Sequence, residues 1–322
     1  MKKPGISVIL PVFNGEPYLD AAIKSMLNQG LSDFELLIGN DCSNDSTSQI
    51  IRSFSDARIK TFDREKNLGL FKNLNMLVMS AESPLIRILC QDDLLEPGCL
   101  EEEVKFFSRH PDIGMSFCKT YRIDGCGAII GKCVLGDLPE VIDTKLSRQS
   151  FFYHGCIPGN LSTVCVRKKS FDKFGLFNEN YRVAGDYEMW TRICERKNLG
   201  VIHKYLVKLR SHAKQLSKAD SSGVDFIRET RNIRSKLLPL LPEEIRSHAK
   251  GYVILRQNVL DTHYCLRCLT WGRFKDFFKI ASIMGAADFT LGIIFWVLTL
   301  NNHLYRPKPK FLYMDSARKA LR

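Results

Sequence analysis

The chain contains no internal repeat and no low-complexity segment. That excludes a solenoid or propeller array and a linker-dominated protein. It has no zinc-finger spacing and no RNA-binding signature, so nucleic acid is not an indicated partner. It also lacks a glycine-rich triphosphate loop, which ranks a nucleotidyltransferase acting on a nucleoside triphosphate behind other readings. There are 11 cysteines, but Cys265-Leu266-Arg267-Cys268 is an isolated close pair, and one pair does not complete a zinc site. The odd count, and the absence of a signal-peptide pattern after Met1-Lys2-Lys3, read as free thiols in a reducing cytoplasmic compartment. Acids are short of bases, 35 against 47, for a net charge of +12. From Lys250 onward twelve Lys and Arg face four acids, so +8 of that excess lies in the tail. A charge placed this way suits docking on an anionic surface better than a uniformly basic fold.

What is present is a globular composition, 45% hydrophobic and 25% charged, over 322 residues. Short β-rich runs alternate with helical periodicity through the first hundred residues. Ile6–Pro11, the run ending at Asn40, Arg58–Phe62 and Leu85–Cys90 read as strands. Segments near 17–28, 46–54, 70–79 and 97–107 read as helices between and after them. That alternation predicts a mostly parallel sheet covered on both faces. After Pro111 it weakens into a more antiparallel region, with strands expected over Ile113–Ile123 and Ala128–Leu135. Phe151–Pro158 reads as an aromatic loop, Ser170–Phe177 as a short helix and Asp186–Arg196 as a helix. From about Ser221 the pattern is helical. The expected organisation is a catalytic domain over 1–220 and a basic helical extension over 221–322.

Ile280–Leu300 is about as long as a bilayer span requires, but Asp288 sits inside it and Gly285, Ala286 and Ala287 dilute it. A central Asp costs on the order of 2.5–3.5 kcal/mol on insertion scales. The preferred reading is two short helices meeting near Asp288, packed on the protein or lying at a membrane surface. Arg306, Lys308 and Lys310 follow and favour anionic headgroups.

Three acidic signals stand at or just beyond these elements: Asp41, Asp92-Asp93 and Asp186. In open α/β sheets ligands bind beyond the carboxyl ends of strands, so strand-end carboxylates are site candidates. Each alone is equally a helix N-cap.

The ordered motifs around these acids resemble family 2 glycosyltransferases, which have the GT-A nucleotide-diphospho-sugar transferase fold. The resemblance runs from Ile6-Ser7-Val8-Ile9-Leu10-Pro11-Val12-Phe13-Asn14-Gly15-Glu16 to about Ser217. It implies a mixed, mostly parallel sheet flanked by helices. Pro11, Phe13, Asn14 and Glu16 would line a nucleotide pocket, where an aromatic ring can stack on a base. Asp41 matches the acid that contacts the nucleobase, with Asn40 in place of a first acid. Asn67, Gly69 and Lys72 match a segment that meets the diphosphate. In Leu89-Cys90-Gln91-Asp92-Asp93, Cys90 replaces the first acid of the metal-binding segment. Asp92 takes the metal position, with Gln91 beside the donor and Asp93 in support. Asp186 matches the general base, with Gly185 in place of its acidic neighbour. Glu188 and Arg192 read as a surface ion pair. Arg210, His212 and Ser217 match the loop that closes the family's catalytic domain and would reach the diphosphate or metal, with Arg210 on the donor and His212 as a second metal ligand. His154 and His203 read as structural.

The resemblance therefore implies an inverting transferase that uses a UDP- or dTDP-linked sugar and Mn2+ or Mg2+. Its acceptor would be a glycan or lipid-linked hydroxyl at the inner face of the cell membrane, in polysaccharide or lipopolysaccharide synthesis. The alternative is a catalytically inactive sugar-nucleotide-binding module.

Overall fold

The computed structural model describes residues 4–300 except 134, 137, 214 and 216–221. The described residues form two compact units, one made of the chain up to Ser147 with Cys156–Gln215, the other of Arg148–Gly155 with the residues beyond Gln215.

The first unit is built on one ten-stranded sheet. In chain order its first half holds β1 (Ile6–Val12), α1 (Leu19–Leu27), β2 (Phe34–Asn40), α2 (Thr47–Arg52), β3 (Ile59–Asp63), α3 (Leu70–Ser80), β4 (Leu85–Ile88), β5 (Leu94–Leu95) and α4 (Cys99–Arg109). Then follow β6 (Ile113–Ile123), β7 (Ile129–Cys133), β8 (Val141–Ile142), α5 (Thr144–His154), β9 (Val164–Arg167), α6 (Lys168–Phe174), α7 (Gly185–Cys194) and β10 (Asn198–Arg210). The strand order is β3-β2-β1-β4-β9-β6-β10-β5, with β7 on β6 and β8 on β10.

The longest registers, β1 on β2 and β10 on β6, are parallel. The strands β1, β2 and β4 are buried along their whole length, which is why they read as mostly apolar runs, interrupted at Ser7, Glu35 and Arg87. Antiparallel pairing enters through β9, between β4 and β6, and through the short strands β5, β7 and β8. The region after Pro111 is thus mixed: β6 is antiparallel to β7 and β9 but parallel to β10.

Below the middle of the sheet lies a charge that the sequence hides. Arg87 of β4 is fully buried and pairs with Glu103 of α4 at 3.0 Å. Burial pushes the Glu103 carboxyl up to about 7, against the downward pull of Arg87.

The second unit contains the end of α5 and the helices α8 (Ser222–Leu237), α9 (Glu243–Tyr252), α10 (Asn258–Thr270), α11 (Phe274–Met284) and α12 (Ala286–Leu300). Val224, Ile227, Cys265, Cys268, Ile280 and Met284 form its apolar centre. Arg231 of α8 binds Asp261 of α10 at 2.7 Å and Asp288 of α12 at 3.0 Å, tying three helices by charge.

One expectation changes and one is met. The segment read as an aromatic loop is helical through His154, because α5 continues over Phe151 and Phe152, both fully buried. The apolar stretch before residue 300 does break into two helices, bent by 107°. The break is at Gly285, whose φ is +76°, and not at Asp288, which lies in the first turn of α12. No single described helix is long and apolar enough to cross a membrane; that bent pair qualifies by length and composition only. Arg306, Lys308, Lys310 and Ser217 lie outside the described residues.

Candidate active site

At the carboxyl ends of β1 and β2, two loops are laced together by side-chain bonds to backbone N–H groups. Asn14, at φ +51°, donates its N–H to Ser43 Oγ at 3.0 Å and accepts from the Asn44 N–H through Oδ1. The Glu16 N–H goes to Asp45 Oδ2, and Glu16 Oε2 accepts from the Ser46 N–H. Asp45 is partly desolvated, yet bonds from Thr47 and from the Glu16 and Thr47 N–H groups hold its pKa below the usual carboxylate value. Pro11 lies inside β1, opposite Gly39. Phe13 stands clear of the sheet, 47% exposed. Its backbone is clasped by Gln91 on both sides, N–H to Oε1 at 2.8 Å and carbonyl from Nε2 at 2.9 Å. The ring is therefore presented by a fixed backbone and is free to stack.

Asp41 is 3% exposed and works on the next segment. Its two oxygens accept from the N–H groups of Leu68 at 2.8 Å and Gly69 at 2.9 Å. Asn67 donates to the Asp41 carbonyl. Gly69, at φ +86°, opens α3, and the space where a Cβ would sit is clear. Asp41 thus sets the turn that brings Asn67–Gly69 to the pocket, a structural duty alongside any contact with a base. Lys72 is half exposed and 3.9 Å from Glu179.

The acidic corner follows β4. Ligand atoms of Cys90, Asp92 and Asp93 all lie within 4.8 Å of one another. Asp92 Oδ2 is 3.0 Å from His212 Nε2, and Gln215 approaches the same oxygen at 3.5 Å. Asp93 is 2% exposed and accepts from the Arg210 N–H at 2.8 Å. Burial, then the neighbouring Asp92, pushes its carboxyl far above the usual range, against the pull of Ser162 and Arg210. Burial and the nearby acids Asp93, Asp92 and Asp186 also raise the Cys90 thiol well above its ordinary value. A thiol held protonated is not a ligand for a hard cation. Asp92 and His212 have the donor chemistry for a divalent ion, and waters or diphosphate oxygens can fill its remaining positions.

Arg210 is 6% exposed and braces this corner. Its guanidinium donates to the carbonyls of Asp92 at 2.9 Å and of Asp124 and Gly125 at 3.0 Å each. It lies 4.6 Å over the Tyr18 ring, whose centroid is 4.9 Å from that of His212. The structure thus gives Arg210 an organising position that the motif did not suggest.

Asp186 is the second residue of α7, where the helix dipole favours a carboxylate. Its Oδ1 accepts from the Tyr187 N–H at 2.7 Å. Asp186 is near enough to Cys90 to add, as the smallest contribution, to the upward push on that thiol. The approach to α7 is pinned by Asn75, which donates to the Phe177 carbonyl and accepts from the Phe177 N–H, both at 2.9 Å. Glu188 and Arg192 do pair, at 2.8 Å, but not on the surface: Glu188 is 6% exposed and Arg192 also binds the carbonyls of Phe174 and Leu176. His203 donates from Nε2 to the Leu138 carbonyl at 2.8 Å.

The three departures from the family pattern have local causes. A Cβ on Gly185 would lie 2.6 Å from the Phe71 ring. Asn40 is 4% exposed and donates to Asp63 at 2.9 Å, where a carboxylate would repel. Cys90 sits beside two acids already crowded enough to raise its thiol. Phe71, Ser162, Tyr18 and Gln215 went unnoticed in the sequence, since each acts through a partner far along the chain. The one available signal was Tyr18, an aromatic two residues after Glu16.

A mostly parallel sheet flanked by helices, with acids at its strand ends, is the architecture of the GT-A fold. The family model "Glycosyl transferase family 2" matches residues 7–155. An uncharacterised glycosyltransferase of Methanocaldococcus jannaschii is 30% identical over 215 residues, 65% of this chain and 72% of that one. One of Haemophilus influenzae is 28% identical over 221 residues, 66% of this chain and 68% of that one. The chain belongs to the family 2 glycosyltransferases. Among solved structures, S. aureus TarS 1–349 aligns with a TM-score of 0.67 at 17% identity, over 94% of this chain and 93% of that one. Against the longer TarS chain, the present one spans 43% of its length.

Proposed function

We propose that this protein is an inverting glycosyltransferase that moves a sugar from a UDP- or dTDP-linked donor to an acceptor hydroxyl. The observation that supports it is the Asp92–His212 pair at 3.0 Å, following β4, where Gln91 of the same segment clasps the Phe13 backbone. Phe13 would stack on the base, with Pro11, Asn14, Glu16 and Asp41 shaping its pocket. Asn67, Gly69, Lys72 and Gln91 would meet the ribose and diphosphate side of the donor. Arg210 would hold the Asp92 backbone in place, and Asp93 would support it from below. Asp92 and His212 would hold Mn2+ or Mg2+, which when bound neutralises charge on the departing nucleoside diphosphate. Asp186 would take the proton of the acceptor hydroxyl as that oxygen attacks the anomeric carbon from the face opposite the leaving group, inverting its configuration. TarS 1–349 has been solved with UDP-GlcNAc, which supports a UDP-linked donor, and the mannosyltransferase PcManGT from Pyrobaculum calidifontis with GDP-Man and Mn2+, which supports a nucleotide sugar and a divalent metal without favouring that base. The acceptor would be a glycan or lipid-linked group in cell-surface polysaccharide or lipopolysaccharide assembly, met at the cytoplasmic face of the membrane.

The test is release of nucleoside diphosphate from a panel of nucleotide sugars with Mn2+, with and without extracted membrane lipid as acceptor. Asp186→Asn should lower acceptor-dependent turnover by roughly 10²–10⁴-fold, the usual worth of a general base. EDTA or Asp92→Asn should abolish both acceptor-dependent and slow hydrolytic release. Tight donor binding with no turnover under any of these conditions would replace the proposal with an inactive binding module.

A further inference from the structure

Among its described residues, the second unit carries an outward face that their packing does not use. On α11, Ile280 and Met284 point into the apolar centre. One turn apart on the other side, Phe274 and Phe278 are 59% and 68% exposed. Lys275 and Lys279 stand beside them, also exposed. The acid of this helix, Asp276, is held by Arg273 at 2.6 Å, so it does not neutralise the lysines. Just before the helix, Trp271 is 46% exposed with Arg267 4.4 Å over its ring. Large apolar side chains at such exposure are costly to leave in water and mark an interaction surface.

The pattern decides the occupant. Phe274-Lys275 and Phe278-Lys279 repeat at a spacing of four, so the two aromatics share one line of the helix and the two lysines a second line about 100° round from it, flanking the aromatic face. Arg267 adds a third cation at Trp271. A protein groove that received the two phenylalanines would have to supply acids at matching positions for the flanking lysines or desolvate them unpaired. A lipid surface would not: the rings enter the acyl boundary while the long lysine stems reach up to phosphate. We infer that the outer face of α11, with Trp271 and Arg267, is a docking surface for an anionic lipid bilayer, lying in the plane of the interface and not crossing it. This gives a physical site to the membrane association proposed above, and it makes no use of the residues that bind donor or acceptor.

The test is flotation of the full chain, without donor, with vesicles of phosphatidylcholine alone and of phosphatidylcholine with phosphatidylglycerol. Binding is expected to the anionic vesicles and to fall with salt. Lys275→Glu/Lys279→Glu should weaken it at least tenfold, since each cation near an anionic surface is worth about fivefold. Phe274→Ser/Phe278→Ser should weaken binding to the same vesicles while leaving circular dichroism and thermal midpoint unchanged, because both side chains are already in solvent. Failure to float with anionic vesicles overturns the inference, as does equal binding by both variants. Self-association in sedimentation that the Phe variant abolishes, without lipid binding, would assign the face to a second copy instead. Nucleoside diphosphate release is measured on the same variants, so loss of docking and loss of catalysis are read separately.

Discussion

Substituting Gly185 by alanine probes why the family's acid is missing at that position. The added Cβ would lie 2.6 Å from Cε2 and Cζ of Phe71 and 3.0 Å from Cδ2. Carbon atoms in good contact sit about 3.5–4.0 Å apart, so ring or helix must give by roughly 1 Å. The ring has little room to do so. Phe71 is 5% exposed and stacks on Phe177 at 5.6 Å, and Phe177 in turn meets Phe171 and Trp190. Overpacking of this kind costs about 1–3 kcal/mol. Alanine recovers up to about 1 kcal/mol over glycine in a helix interior, and less here because Gly185 is the first residue of α7. The net expectation is a loss of about 1–2 kcal/mol. In urea, with a slope of about 2 kcal/mol/M, the midpoint falls by roughly 0.5–1 M. Phe71→Leu leaves space at the ring edge, so Gly185→Ala combined with it should be more stable than the two single losses added. Circular dichroism along that double-mutant cycle measures the coupling. Wild-type stability in Gly185→Ala, or additivity within about 0.3 kcal/mol, would refute the packing argument.

Three further outcomes are expected. Glu103→Leu leaves the Arg87 charge buried and unpaired and should cost about 3–5 kcal/mol, whereas Arg87→Met/Glu103→Leu should recover most of it; denaturant midpoints of the three variants decide this. Asn40→Asp sets a second carboxylate against Asp63 and should cost about 1–3 kcal/mol at pH 7, with the loss cancelled by Asp63→Asn in the same thermal scans. His154 is held down to about 4 by burial, then by Arg256 and Arg234, so the native state binds fewer protons than the unfolded chain between that value and 6.5. Stability should therefore fall as pH drops through that window, by no more than about 3 kcal/mol. His154→Gln should flatten the slope; an unchanged slope would mean His154 is not the group responsible.

Much of this protein was legible before its structure. The strands β1, β2 and β4 announce themselves because a strand covered on both faces is predominantly apolar. The acids Asp41, Asp92, Asp93 and Asp186 stood out because each follows or begins a regular element, and their order carried the family resemblance. Their local partners did not show. Nothing near Asp93 in sequence says that Arg210 donates to it, and nothing near Asp41 says that it fixes the turn at Leu68 and Gly69. Nor does the run around Phe151 reveal that α5 continues through it, since burial of Phe151 and Phe152 overrides a loop-like composition.

The sequence by itself determined the order of strands and helices, the family and the chemistry available, because periodicity and residue type are local properties. Only the tertiary structure decided which of those residues meet. It set Asp92 against His212 across 120 positions, put Phe71 where Gly185 leaves room for it, and buried Arg87 on Glu103. It also turned Ile280 and Met284 inward while leaving Phe274 and Phe278 in solvent. Contacts between residues distant in the chain depend on how whole elements pack, and a linear pattern does not carry that information.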